Sequence, residues 1–262
     1  MMSVRAKKHL GQHFLTDLNI SKKIADQFSG FADCKTVLEI GPGTGAITQF
    51  LIKNKRIEEL HVMEVDRDSI RYLQEHFPSL NGRIYNDDFL KTDINLIFKK
   101  QAFSVVGNFP YHISSQILFK CIDHYTQVPE IMGMFQKEVA ERVAEKPGSK
   151  KYGILSVLLQ TYYDIEYLFT VDEHVFNPPP KVKSGVIRCT RNKRISLTCD
   201  EVLFKKIVKA TFNQRRKMIR NGLKTLIDTS IVDHEFFNKR PEQLSVEDFI
   251  ELTQFVEASP KL

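Results

Sequence analysis

A chain of 262 residues can hold one large domain, or a main domain with a small companion. Its 42% apolar and 27% charged residues are those of an ordinary globular protein, and no stretch approaches the roughly 18 apolar residues of a membrane-spanning helix. Four scattered cysteines without a CxxC pair exclude a disulfide framework and a cysteine-built zinc site, while a net charge of +6 at a pI near 9.0 points to a polyanionic partner.

The N-terminal stretch is basic, but Gly11, Gln12, His13 and Asp17 interrupt any signal-peptide core, so a cytoplasmic location is expected. His9 and His13, four residues apart, could share a helix face as metal ligands. No carboxylate or cysteine nearby completes a set, and no metal is expected. Apolar runs then alternate with amphipathic segments. TVLEI at 36–40, ELHVMEVD at 59–66, GRIYNDDF at 82–89, FSVVGNF at 103–109 and EIMGMF at 130–135 read as strands, with helices near 45–56, 67–77, 91–101 and 112–126 between them. Continuous apolar strands separated by helices predict a parallel sheet covered on both faces. After a helix near 153–160, YYDIEYLFTV and SGVIRCTR follow as two strands with no helix between them, which predicts an antiparallel pair at the sheet edge. The fold class is therefore α/β with seven strands.

Beyond Arg194 the pattern turns helical. Phe204, Ile207, Val208 and Phe212 form one apolar stripe, and Ile219, Leu223, Leu226 and Ile227 a second. Ser245, with Asp248 as its capping-box partner, opens a last helix. The expected division is 1–193 and 194–262. Charge is sorted along this part of the chain. Residues 205 to 224 carry eight Lys or Arg and no acid, 181 to 194 carry six more without an acid, and 225 to 262 carry three bases against eight acids. A solvated helix face mixes both signs, so Lys205, Lys209, Arg215, Arg216, Lys217 and Arg220 are candidates for nucleic-acid phosphates.

The chemistry concentrates at the strand ends. VLEIGPGTGAIT leaves the first strand and enters a helix; Gly41, Gly43 and Gly45 allow a tight turn and close approach of a ligand to the backbone. Glu64, twenty-three residues after Gly41, ends the second strand where it can accept hydrogen bonds from ribose hydroxyls, and Asp88 ends the third. The loop alone also satisfies a loose nicotinamide-dinucleotide fingerprint. The fourth strand argues otherwise, since it ends in Asn108-Phe109-Pro110-Tyr111. An adenine amino group is a poor nucleophile because its lone pair is delocalised into the ring. The Asn108 side-chain oxygen and a neighbouring backbone carbonyl could grip its hydrogens and favour a tetrahedral nitrogen. Pro110 would stiffen that turn, and Tyr111 offers a ring for an extruded base to stack on.

HLGQHFL (9–15), LEIGPGTGAIT (38–48), MEVDRD (63–68), NDDFL, NFPYHISS, KPGSKKYGILSV (146–157), FNPPPKVKSGV (176–186) and FNQRRKMIRNGLK (212–224) occur in this order. Together they resemble the S-adenosylmethionine-dependent ribosomal RNA adenine dimethyltransferases over nearly the whole chain. The resemblance implies a Rossmann-like class I methyltransferase sheet with a small all-helical C-terminal domain. It implies dimethylation at N6 of two adjacent adenines in a hairpin near the 3′ end of small-subunit ribosomal RNA, in an immature subunit, by a protein that need only be a monomer. Carried over residue by residue, it puts His13, Leu15, Gly41, Gly43, Glu64, Asp88 and Asn108 around S-adenosylmethionine, with Glu64 on the ribose and Asp88 on the adenine amino group. Asn108, Pro110 and Tyr111 serve the target base, and Phe176 forms its second aromatic wall. This chain has His13 where many members carry Asn, which leaves open whether the side chain or only the backbone at 13 meets the cofactor. FNQRRKMIRNGLK and RPEQLSVEDF look like the small-subunit branch rather than the related enzymes acting on large-subunit RNA. The residues alone also admit a non-catalytic RNA-binding assembly factor and a nicotinamide-linked oxidoreductase.

Overall fold

The computed structural model describes residues 4–260. The chain divides into two compact units, one running to Ala140 and joined by Asp164–Arg191, the other made of Glu141–Tyr163 and the chain from Asn192 onward.

The first unit is built on seven strands: β1 (Thr36–Ile40), β2 (Glu59–Met63), β3 (Ile84–Tyr85), β4 (Ser104–Asn108), β5 (Glu130–Gln136), β6 (Tyr163–Val171) and β7 (Ser184–Arg191). They are ordered β3-β2-β1-β4-β5-β7-β6. The first five are parallel, and β7 runs antiparallel to β5, with Glu130 opposite Thr190 and Gln136 opposite Ser184. Burial follows the apolar runs: β1 is buried from Val37 to Ile40 and β5 from Glu130 to Phe135. The one acid in that run, Glu130, is held by Ser29 and Phe31, whose backbone N–H groups donate to it at 2.9 and 3.0 Å and whose Ser29 hydroxyl donates at 2.8 Å. Strand order reverses between β1 and β4, and in open parallel sheets ligands sit outside the strand ends at such a point. A separate short pairing sets Phe14 opposite Asn177 and Leu15 opposite Phe176.

The helices of this unit are α1 (Leu18–Asp26), α2 (Thr48–Leu51), α3 (Arg67–His76), α4 (Asn95–Phe98) and α5 (Ser114–Asp123), and α6 (Lys137–Ala144) begins in it. Several are shorter than their patterns predict. The third strand, expected over 82–89, keeps only Ile84 and Tyr85; beyond it the Asp88 carboxylate turns back to accept from the Leu90 N–H at 3.0 Å. The helix expected near 91–101 stops at Phe98, where Lys99 and Lys100 take positive φ of 46° and 67°.

The second unit contains α7 (Ile154–Gln160), α8 (Glu201–Asn213), α9 (Ile219–Leu223) and α10 (Val246–Ala258). Asp200 caps α8 through the Leu203 N–H at 2.6 Å. Ser245 and Asp248 form the expected box, with the Asp248 N–H donating to Ser245 at 3.1 Å and the Ser245 N–H to Asp248 at 2.8 Å. The chain returns to the sheet unit at a different place from the one its pattern predicts. Residues 141–163, read from sequence as part of 1–193, group with the second unit, because α7 packs on α8 and the Tyr152 ring lies 6.3 Å from that of Phe212. The later boundary falls between Arg191 and Asn192, close to the expected 193.

One packing detail fixes the β4 terminus. Gly107 and Gly133 face each other across β4 and β5, and the Phe109 ring lies over both. A Cβ on Gly133 would stand 2.2 Å from Phe109 Cε2, and one on Gly107 2.8 Å from Cε1. Phe109 is 1% exposed, so neither ring nor strand has room to yield. Gly133→Ala is expected to destabilise the protein by about 1–3 kcal/mol, the usual cost of overpacking. Chemical denaturation with an unchanged midpoint would show that the slot is not filled as described.

Candidate functional site

The ends of β1, β2 and β4 open onto one cavity, with roughly 710 Å³ of open space counted to its mouth. His13, Leu15, Gly41, Gly43, Glu64, Asn108, Pro110 and Tyr111 all line it. These residues come from four separate parts of the chain, brought together by the parallel sheet and by the segment 10–15 that crosses above it.

Gly43 needs its missing side chain. Its φ is +57°, and a Cβ would stand 2.8 Å from the Phe14 ring. Glu64 holds the same loop from below: one carboxylate oxygen accepts from the Gly43 N–H at 3.1 Å, the other from the N–H groups of Val65 and Asp66, both at 2.9 Å. Burial raises the Glu64 pKa, and these backbone donors oppose that rise. Glu64 therefore shapes the glycine loop as well as facing the cavity.

Sequence reasoning passed over a second acid there. Glu39 lies within β1, is 1% exposed and accepts from the Thr48 hydroxyl at 2.6 Å. Burial pushes its pKa up to about 8, the Thr48 hydrogen bond works against this, and the nearby Glu64 charge adds to it. Its signal was legible, since an acid in an otherwise apolar buried strand has to be accounted for. The cavity lining thus carries two carboxylates and no Lys or Arg. That donor set suits a cationic ligand rich in hydroxyl groups, and S-adenosylmethionine, with its sulfonium and ribose, fits it. A dinucleotide pyrophosphate would find acids and no basic side chain.

At the other end, Asn108 Nδ2 donates to the His13 carbonyl at 3.0 Å. A carbonyl only accepts, so the amide NH₂ must face it, which leaves Oδ1 as the acceptor available to the cavity. The His13 ring is engaged elsewhere: Nδ1 donates to the Pro178 carbonyl at 2.7 Å, and the ring stacks on Tyr111 with centroids 5.7 Å apart. At position 13 it is the backbone carbonyl that meets Asn108. Tyr111 shares a 2.5 Å hydrogen bond with the Ser184 hydroxyl, and burial raises its pKa against that bond.

Two predicted residues are placed outside the cavity lining. Asp88 is half-buried, accepts from the Leu90 N–H and lies 3.5 Å from Lys91 Nζ. Phe176 is 4% exposed and packs in the core cluster with Leu15 and Val186, so its ring is committed to the interior rather than to a base. Within the second unit the basic run is uneven. Lys209, Arg216 and Lys217 are exposed, and Lys205 is half-buried. Arg215 donates to the Lys150 carbonyl and, at 3.3 Å, to that of Ser149; Arg220 lies 3.5 Å from Asp233 and 5.8 Å from the centre of the Phe237 ring. Both arginines thus have partners within their own unit.

A family model described as Ribosomal RNA adenine dimethylase matches residues 3–257. The chain is 55% identical to Ribosomal RNA small subunit methyltransferase A of Bacteroides thetaiotaomicron, over 100% of this chain and 97% of that protein. It is 54% identical to the protein of the same name from Flavobacterium johnsoniae, over 98% of each. Among solved structures, a dimethyladenosine transferase from Plasmodium falciparum superposes with a TM-score of 0.77 at 23% identity, covering 94% of this chain and 98% of that one. The 23S rRNA methyltransferase ErmE superposes at 0.65 and 24% identity, covering 92% and 99%. At these identities the two structures establish the fold alone.

The Glu39 pKa makes a prediction about stability. A carboxyl that is protonated in the folded protein up to about pH 8, and ionised in the unfolded chain above about 4.5, binds more protons when folded. Its contribution to stability is present below that window and is lost as pH rises through it. Ligand-free Glu39→Gln is therefore expected to gain stability relative to wild type as pH is raised from 5 to 8. Parallel melting curves across that range would refute the assignment.

Proposed function

The chain belongs to the ribosomal RNA adenine dimethylase family, and from that premise we propose that it dimethylates N6 of two adjacent adenines in a hairpin near the 3′ end of small-subunit ribosomal RNA. The observation that carries this reading is the orientation of Asn108. Its amide NH₂ is turned toward the His13 carbonyl, so Oδ1 is presented as an acceptor where an adenine amino group would enter.

S-adenosylmethionine, when bound, supplies an electrophilic methyl group on sulfur. The protein's part is to hold and aim. Glu64, Gly41, Gly43 and Leu15 define the cofactor cavity, and Glu39 adds a second carboxyl group whose ionised form a positive ligand favours. Asn108 Oδ1 and a backbone carbonyl of the 108–111 turn accept the two amino hydrogens, which favours a tetrahedral nitrogen with its lone pair free. Pro110 stiffens that turn, and Phe109, locked over Gly107 and Gly133, anchors it. Tyr111 is the stacking surface for the base. Its present partner His13 would slide along or give way to the incoming ring. Nitrogen needs no strong general base, because it loses its proton after attack. Asp88 and Phe176 lie outside the cavity lining, so this reading gives neither of them a direct contact with cofactor or base.

The substrate proposed is the RNA within an immature small subunit, and the enzyme acts as a monomer in the cytoplasm. The excess of basic residues at 181–194 and 205–224 supports an RNA partner. Among the described residues no helix is long and apolar enough to cross a membrane.

Asn108→Ala is expected to lower the single-turnover rate at least a hundredfold with little change in cofactor affinity, because its grip matters most as nitrogen becomes tetrahedral. Rapid-quench assays returning a rate within about threefold of wild type would remove Asn108 from the chemistry. For RNA, the exposed Lys209, Arg216 and Lys217 are the informative set, since Arg215 and Arg220 have structural partners. Replacing the three by Gln should weaken RNA binding and flatten its logarithmic salt dependence by roughly 0.7–0.9 per lost phosphate contact. A triple variant that tracks wild type at every salt concentration would dismiss these residues as phosphate contacts.

A further inference from the structure

Residues 10–15 line the cavity, yet the group that fastens the start of this segment does not. Asp66 lies just past the end of β2, at the start of α3, and its side chain is fully buried. Its carboxylate accepts from Lys7 Nζ, from Gln12 Nε2 at 3.1 Å, from the Asp68 N–H at 3.0 Å and from the Ser69 hydroxyl at 3.3 Å. Lys7 Nζ also lies 2.7 Å from Asp68, and Gln12 Oε1 accepts from the Lys7 N–H at 2.8 Å. Residues 7–12 are thus a closed loop tied at one point to the end of β2.

The far side of the segment is tied independently. Phe14 and Leu15 pair with Asn177 and Phe176, and the Thr16 N–H and hydroxyl both donate to the Val175 carbonyl at 2.8 Å. His13 stands between the two ties, and its carbonyl is the one that turns the Asn108 amide. Burial tends to raise the Asp66 pKa, but the hydrogen bonds from Lys7 and Gln12 together lower it, so the carboxylate stays ionised and the tie keeps its charge.

We propose that Asp66 is a positioning residue for methyl transfer: through Lys7 and Gln12 it holds residues 7–13 in place, so that the His13 carbonyl presents Asn108 in its reactive orientation. The proposal rests on the catalytic reading of Asn108 given above. Asp66 does not line the cofactor cavity; it acts through Gln12, the residue before the carbonyl that matters, and through Lys7. The competing role is that it only caps α3. Serine separates the two, because it caps a helix as well as Asp does but its side chain is too short to reach Lys7 and Gln12. Asparagine keeps the reach and loses the charge.

The test uses the full chain as wild type, Asp66→Ser, Asp66→Asn, Lys7→Met and the Lys7→Met/Asp66→Ser double variant. Three quantities are read: the melting temperature, the rate of tryptic cleavage at Arg5, Lys7 and Lys8 in the variants that retain each site, and the single-turnover methylation rate. Asp66→Ser should melt within a few degrees of wild type, be cut about tenfold faster near its N-terminus and turn over about tenfold or more slower, the scale of a lost charge-assisted hydrogen bond. Asp66→Asn should recover part of both losses. Lys7→Met should reproduce the direction of both, and the double variant should be no worse than Asp66→Ser, since the two residues act through one tie. Wild-type cleavage and turnover in Asp66→Ser, or additive losses in the double variant, would overturn the proposal. If Asp66→Ser fails to fold, Lys7→Met decides: wild-type turnover there also overturns it. Failure of the catalytic reading would look different, with Asn108→Ala fully active while the cleavage rates still report on the tie.

Discussion

One hydrogen bond, from the Asn108 amide to the main-chain carbonyl of His13, decides what the end of β4 can do. An amide has a donating and an accepting end of nearly equal shape, and only its partner settles which way it faces. A carbonyl cannot donate, so it takes the NH₂ and leaves the oxygen for the cavity. Bringing that carbonyl to residue 108 requires the segment 10–15 to cross above the strand ends, and other features of the unit make the crossing possible. Gly43 leaves room for Phe14, Thr16 is bound to Val175, and the glycine pair at 107 and 133 lets Phe109 seat the far side of the turn.

The electrostatics of the cavity are those of a cation site. Two acids are buried with no Lys or Arg among the lining residues, and each is dealt with differently. Glu64 spreads its charge over three backbone N–H groups, whereas Glu39 has a single hydroxyl partner and holds its proton up to about pH 8. A positive ligand favours the ionised form of both. Positive charge gathers instead at 181–194 and 205–224, where no acid interrupts it.

Much of this was legible in the sequence wherever a local pattern carries the information. Strands buried on both faces announce themselves as unbroken apolar runs, and the glycine loop followed by acids at two later strand ends locates the switch point. The capping box at Ser245 is equally local. What could not be read depends on partners far along the chain. The turn of the Asn108 amide needs a carbonyl 95 positions away, and the Lys7 to Asp66 contact spans 59. Arg215 and Arg220 look identical to Arg216 in a charge count, yet two of the three are bound to Lys150 and Asp233. The helix at 154–160 has the apolar pattern of a sheet-covering helix, and only its packing on α8 assigns it to the second unit. Phe176 and Asp88 carry the right residue types for a base wall and an adenine contact, but the ring is spent on the core and the carboxylate on its own turn.

A cavity that holds S-adenosylmethionine beside the 108–111 turn should methylate one adenine amino group twice. Mass spectrometry of small-subunit ribosomal RNA, isolated in its unmethylated form and incubated with the protein and S-adenosylmethionine, tests it most directly. Two adjacent residues in one hairpin near the 3′ end should each be heavier by two methyl groups and be identified as N6,N6-dimethyladenosine after digestion. RNA that is bound but returned without added methyl groups would contradict it.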